Sequence, residues 1–338
     1  MTAKLSPPLA SHRTHRSPVA AQAPCARTTV AAAGLRRRRE ILSYVLGGIW
    51  LIDGVLQFQP FMYSSAFPGT LRDAGHGSPT WISGPVNWSA NLMAQHLGTL
   101  NTLSALLQVA IGVGLMMPRA RRAALAASFG WGLLVWWLGE GMGTLFAGPV
   151  SALDGLPGAA LLYVLISVLL WPAVGTRAAS VAAANPVGAR AAKIGWLAFW
   201  SLFVWETLRS SNRSPLALHD MISAMGDGEP GWIKAIDGAG ASALDHYGTQ
   251  ASVILAALFA AVAFAVFLAA RYTRPLLVLA MVLAAIIWTV GQDFGAVATH
   301  HATDLNSGPL LALLALCYWP VNHRPSHDAT PGLTRRPA

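Results

Sequence analysis

The sequence predicts an all-α polytopic membrane protein with eight transmembrane helices, laid out as two parallel four-helix repeats. Three observations predict it. Hydrophobic residues make up 54% of the 338 and charged residues only 11%, against roughly 25% charged in an average soluble protein. Eight apolar stretches approach the ~20 residues that cross a ~30 Å hydrocarbon layer, and the short alternating segments of a β-barrel are absent. One segment also occurs twice. Trp137-Leu138-Gly139-Glu140-Gly141-Met142-Gly143 precedes an apolar run ending Trp171-Pro172, and Thr289-Val290-Gly291-Gln292-Asp293-Phe294-Gly295 precedes one ending Trp319-Pro320. Upstream, His96-Leu97-Gly98-Thr99 matches His246-Tyr247-Gly248-Thr249 in the same order.

Residues 1–40 are rich in Ala, Pro, Ser and Arg without an apolar period, and read as a disordered basic cytoplasmic tail. Arg36 to Arg39 precede the first apolar run as a signal-peptide head would. Gln57-Phe58-Gln59-Pro60 follows that run where small-x-small residues would mark cleavage, so the arginines read as an anchor. Spans are expected over 41–62, 91–117, 123–146, 156–175, 192–210, 247–270, 275–297 and 308–322. The first unit covers 41–175, the linker 176–192, the second unit 193–322 and a second cytoplasmic tail 323–338. Arg and Lys concentrate after even-numbered spans (Arg119, Arg121 and Arg122; Arg177, Arg190 and Lys193; Arg271 and Arg274). The positive-inside rule then puts both termini in the cytoplasm and the chain in the inner (plasma) membrane. Four crossings per unit return the chain to its starting side, so the units share one orientation. The same distribution explains the net charge of +9 without a nucleic-acid partner. The long outer loops 63–90 and 211–245 carry Trp81, Trp88 and Trp232, expected against headgroups, and the second is long enough for a short helix or a lid. Cys25 and Cys317 fall in a tail and a span, which argues against a disulfide.

Ionisable side chains inside spans are costly and face partners or water-filled cavities. Asp53, Glu140, Glu206 and Asp293, with His96 and His246, all fall in the expected outer third of the bilayer. Two readings fit that depth: a pocket opening outward, or boundary residues hydrated at the interface. Asp53, Glu140 and Asp293 are the candidate proton-handling residues. His96 and His246 are candidate cofactor ligands that face each other across the pseudo-two-fold. Glu140 aligns with Gln292 rather than with Asp293, so the two units do not repeat one carboxylate site. The glycines around Glu140 and Asp293 have small-xxx-small spacing, which reads as helix packing. His300, His301 and Asp304 form a weak metal candidate, because imidazole suits zinc, copper or iron but adjacent histidines diverge; an ordinary turn followed by a span capped by Ser307 fits better. Aromatic residues cluster at Trp131, Trp136 and Trp137 and at Trp196, Phe199, Trp200, Phe203 and Trp205, where packing competes with stacking on a quinone or haem.

The Gly-rich first span Gly47-Gly48-Ile49-Trp50-Leu51-Ile52-Asp53-Gly54, the polar start of the second span and the four-helix unit resemble the DoxX-like group of small membrane proteins. That resemblance implies a subunit of a quinone- or haem-linked redox system with a redox partner protein, and it transfers no catalytic residue. Two other functions fit the sequence: a transporter of a small solute or metal ion, and a scaffold without chemistry.

Overall fold

The computed structural model describes residues 23–147, 151, 153, 155–172, 178–226, 228–245 and 247–321. Among these the chain is all-α, with twelve α-helices and no strand. The helices are α1 (Ala23–Leu56), α2 (Phe67–Asp73), α3 (Thr80–Gln95), α4 (Leu97–Met116), α5 (Arg121–Leu138), α6 (Ala159–Leu170), α7 (Gly188–Thr207), α8 (Ala217–Met225), α9 (Gly231–Leu244), α10 (Gly248–Phe264), α11 (Ala270–Val290) and α12 (Ser307–Cys317).

All eight expected spans contain a helix, but among the described residues only α4, α10 continued by a 3-10 turn to Phe267, and α11 are long and apolar enough to cross a membrane. The sequence runs were longer than the helices because apolar loop residues extended them. At 1.5 Å per residue, α6 and α12, with 12 and 11 residues, reach roughly 18 Å against the ~30 Å of hydrocarbon. They are also the most enclosed helices, packed on each other at the centre. The peripheral helices are apolar outward: Ile41, Val45 and Val55 on α1, Leu103, Leu106 and Val113 on α4, Leu133, Leu134 and Trp137 on α5, Val253, Ile254 and Phe264 on α10, and Val278, Val282 and Ile286 on α11 are all exposed. Water disfavours such a belt.

Three local expectations change. The disordered tail gives way to helix at Ala23, because α1 runs 34 residues; Ala, Leu and Arg are strong helix formers. Arg38 Nη1 donates to the carbonyls of Trp319 and Pro320, and Arg39 Nη2 to that of Ala184. The two long segments expected as outer loops are mostly helix, α2 with α3 and α8 with α9. The expected second span is broken at His96, whose φ of −132° and ψ of 34° separate α3 from α4.

The element order runs twice. Helix α1, a 3-10 turn at Pro60–Tyr63, then α2 to α6, is answered by α7, a 3-10 turn at Ser210–Arg213, then α8 to α12. Corresponding pairs pack alike: α1 on α4 and α7 on α10, α2 on α3 and α8 on α9, α5 on α6 and α11 on α12. Equivalent hydrogen bonds recur too. Trp136 Nε1 donates to Pro157 O at 2.7 Å, and Trp288 Nε1 to Leu305 O at 2.9 Å.

Candidate ligand-binding cavity

Helix α5 stops at a Gly139 C-cap, and α11 at Gly291. Four residues with positive φ follow each: Gly141, Met142, Gly143 and Thr144, and Asp293, Phe294, Gly295 and Ala296. Of the glycines expected to pack helices, Gly141, Gly143 and Gly295 instead serve this left-handed run, which L side chains enter at a cost, while Gly139 and Gly291 are right-handed C-caps. Glu140 and Asp293 therefore sit in turns beyond helix ends, not in the last turns of spans. The first turn aims Glu140 at the start of α6, where Oε1 accepts from Ala160 N at 3.0 Å. Gln292 does the same for α12, its Oε1 accepting from Gly308 N at 3.2 Å and its Nε2 donating to Ser307 Oγ at 2.6 Å. A helix N-terminus with unpaired N–H groups attracts such oxygens.

Between α1, α3, α4, α5 and α6 lies a cavity of about 550 Å³. Trp50, Phe67, Trp88, Trp131 and Tyr163 form much of its wall. Its carboxyl and amide side chains are Asp53, Gln57, Asn101, Gln108, Glu140 and Asp304, and no Lys, Arg or His lines it. Asp53 ends α1 fully enclosed; its Oδ2 accepts from Tyr163 Oη and its Oδ1 from Leu305 N at 3.1 Å. Trp50 stacks over Tyr163 with centroids 4.1 Å apart and donates to Ser128 Oγ, which also accepts from Ser167.

The second half closes this cavity. Gln57 Nε2 donates to Thr303 O at 2.8 Å and Gln59 Nε2 to Ala302 O at 3.2 Å. The loop so held brings Asp304 to the wall, where Oδ2 accepts from Thr303 Oγ1 and Oδ1 from Asn306 N. Burial lifts the Asp304 carboxyl above its ordinary range, and these two hydrogen bonds pull the other way. Asn306, not Ser307, caps α12, accepting from Ser307 N. A second, more polar hollow of about 370 Å³ lies between the two left-handed turns, and it shares Glu140, Ala159, Thr303 and Asp304 with the first. Glu140 and Asp304 thus stand where the two spaces meet.

Four buried polar atoms of the cavity wall have no hydrogen-bond partner: Asn101 Oδ1, Gln108 Oε1, Trp131 Nε1 and Glu140 Oε2. Asn101 and Gln108 are 0% and 6% exposed. Asn101 Nδ2 donates to Gln57 O, and its oxygen is left without a donor. Bare buried polar groups cost free energy, and a cluster of them in one hollow marks a place for a ligand or water.

The corresponding interior of the second half is filled. Counting from the matched caps and motifs, Asp53 corresponds to Phe203, Asn101 to Ala251, Gln108 to Leu258, Trp131 to Leu283 and Tyr163 to Leu311, whereas Trp50 corresponds to Trp200. Trp200, Phe203 and Phe259 are fully enclosed, with ring centroids 5.1 to 5.8 Å apart.

Of the residues singled out from sequence, Asp53, Glu140 and Asp304 meet at this cavity. His96 is exposed at the break between α3 and α4 and does not line it. His246 lies outside the described residues. His300 is exposed, His301 stacks on Phe61 at 4.2 Å, and among the described residues no group of three or more His, Cys, Asp or Glu is placed to hold a metal ion. Glu206 pairs with Arg209 at 3.0 Å. Asp293 is buried with Asp237 and Glu229 instead. Burial raises all three carboxyls, and Asp237 and then Glu229 help push Asp293 to about 7. Asn101, Gln108 and Tyr163 were not apparent from sequence. Their signal was comparison of the halves: each is polar where its counterpart is apolar.

No family model, no curated protein and no solved structure matches this chain.

Proposed function

We propose that the chain is an eight-span membrane protein with two parallel halves and cytoplasmic termini, in which the first half binds one small lipophilic molecule and the second half is scaffold and lid. One observation carries this reading: four unpartnered polar atoms belong to side chains that line an aromatic-walled cavity in the first half, while aromatic and aliphatic side chains pack in the equivalent space of the second. The positive-inside count supports a cavity opening on the outer side, and the apolar belt on the peripheral helices supports a bilayer around it.

The cavity wall bears on the redox role that the DoxX-like resemblance implies. A haem finds no histidine or cysteine there. A quinone brings only acceptor oxygens, and the enclosed unpartnered atoms of the wall are three acceptors to one donor. The site suits a ligand that donates hydrogen bonds, so binding or carriage of a small solute is the better reading.

The test is to purify the chain in mild detergent and identify what accompanies it by mass and absorption spectrum. One small molecule per chain is expected, lost when Asn101→Leu and Gln108→Leu are combined. A chain that emerges empty, and whose melting no lipophile shifts, overturns the reading.

A further inference from the structure

Building on that reading of the cavity, we infer that its ligand is a lipophilic cation: an ammonium group on an apolar body, with the charged head between Glu140 and Asn101. The argument starts from charge. Three carboxyl groups, Asp53, Glu140 and Asp304, line the space, and no basic side chain does. Asp53 and Asp304 each have both oxygens occupied by hydrogen bonds. Glu140 has one oxygen on Ala160 N and the other bare. A carboxylate oxygen held in an enclosed space without a donor invites a charged donor, because charge-assisted hydrogen bonds are the strong ones.

Position agrees. Glu140 lies just past the end of α5, and Asn101 lies in the second turn of α4, which starts at the same end of the bundle. Asn101 offers a bare acceptor there, and an ammonium head has several hydrogens to give. Deeper in the bundle, Trp50, Trp131 and Tyr163 present aromatic surface, which suits an apolar body and also attracts cations. Gln108 sits seven residues beyond Asn101, roughly 10 Å further along α4 at 1.5 Å per residue. Its bare oxygen and the bare Trp131 N–H lie away from the head end, where a hydroxyl on the far end of the ligand would satisfy both.

The second half supplies a built-in control. Gln292 makes with the α12 N-terminus the bond that Glu140 makes with α6. An amide therefore serves the structural role at this position, and Glu140→Gln removes the charge while keeping the cap.

The experiment uses the full chain in nanodiscs of zwitterionic lipid, titrated with 4-phenylbutylamine and with 4-phenylbutanol, which share one carbon skeleton; binding to protein-free nanodiscs is subtracted. The expected result is a preference for the amine of about tenfold or more, reduced to near parity in Glu140→Gln. Equal binding of both probes to the wild-type chain overturns the cation inference and leaves the binding site standing. If neither probe binds, the binding-site reading fails with it. A preference that survives in Glu140→Gln overturns the placement of the head at Glu140. The wild-type comparison needs no variant, so the inference stays testable even if a substituted chain does not fold.

Discussion

Glu140 has two oxygens with two different environments: one caps α6 and the other, without a hydrogen-bond partner, lies against Gly158. Removing the side chain with Glu140→Ala costs the cap, about 0.5–2 kcal/mol by analogy with other N-terminal caps. Glu140→Gln should cost less, since Gln292 makes the same bond in α12. Melting midpoints of the two variants in one detergent check the order, Ala below Gln. Asp293 yields a different prediction. Its carboxyl is raised to about 7, chiefly by burial and then by Asp237 and Glu229, against about 3.9 when unfolded. The folded chain holds that proton more tightly than the unfolded one, so the associated stability is full below pH ~4 and fades as pH rises through about 7. Asp293→Asn should flatten this part of the curve, read as melting midpoint against pH; an unchanged slope counts against the shared burial. At this scale the sequence showed Asp53 and Glu140 because charges stand out in apolar runs, and Asp304 only as a member of the weak metal candidate with His300 and His301. Asn101, Gln108 and Tyr163 did not stand out, since a lone amide or phenol in a span is unremarkable until its counterpart in the other half is seen to be apolar.

At the scale of elements, the left-handed turns after α5 and α11 decide where the carboxylates point. The sequence spacing of Gly139 and Gly143 suggested helix packing, but spacing alone cannot distinguish a close helix contact from a backbone that needs positive φ. Gly141 has φ of 54°, and a Cβ there would press on the carbonyl of Ala74. Gly141→Ala combines backbone strain, about 1–3 kcal/mol, with that contact, and should lower stability and displace Glu140 from the α6 N-terminus. Gly130→Ala, in the interior of α5, is the control: a Cβ there meets nothing within 4 Å, and alanine is the better helix former, so it should leave stability unchanged or slightly raised. Urea or thermal unfolding of the two variants separates them. Helix existence was legible from apolar runs for the eight expected spans, but not for α2, α3, α8 and α9, which lie largely in segments expected as loops. Helix ends were not, because apolar loop residues such as Leu145 and Leu305 continue the hydropathy after the backbone has left the helix.

Across the whole molecule, the first half encloses a cavity where aromatic rings pack together in the second, and the second half reaches over to complete the hollow one. Asp53, Gln57 and Gln59 at the end of α1 hold Leu305, Thr303 and Ala302 of the loop before α12. These bonds join residues far apart in sequence, and no pattern in either half announces them, which is why the role of the second half as a lid was not legible. The dependence can be tested without cutting the chain. Combining Gln57→Leu with Gln59→Leu removes two donors to the loop while leaving Asp53 and its partners in place. Residues 301–306 should then exchange amide hydrogens faster, since local opening needs only the loss of local contacts. Exchange in α10 and α11 should be unchanged, because neither helix is held by those glutamines. Affinity for the cavity ligand should fall with the loop, as Asp304 and Thr303 leave the wall. If exchange rises in the loop and affinity holds, the second half is scaffold for the fold but not for the site. If both stay at wild-type levels, Asp53 and the packing of α12 on α6 suffice to seat the loop, and the coupling between halves runs through the helices instead.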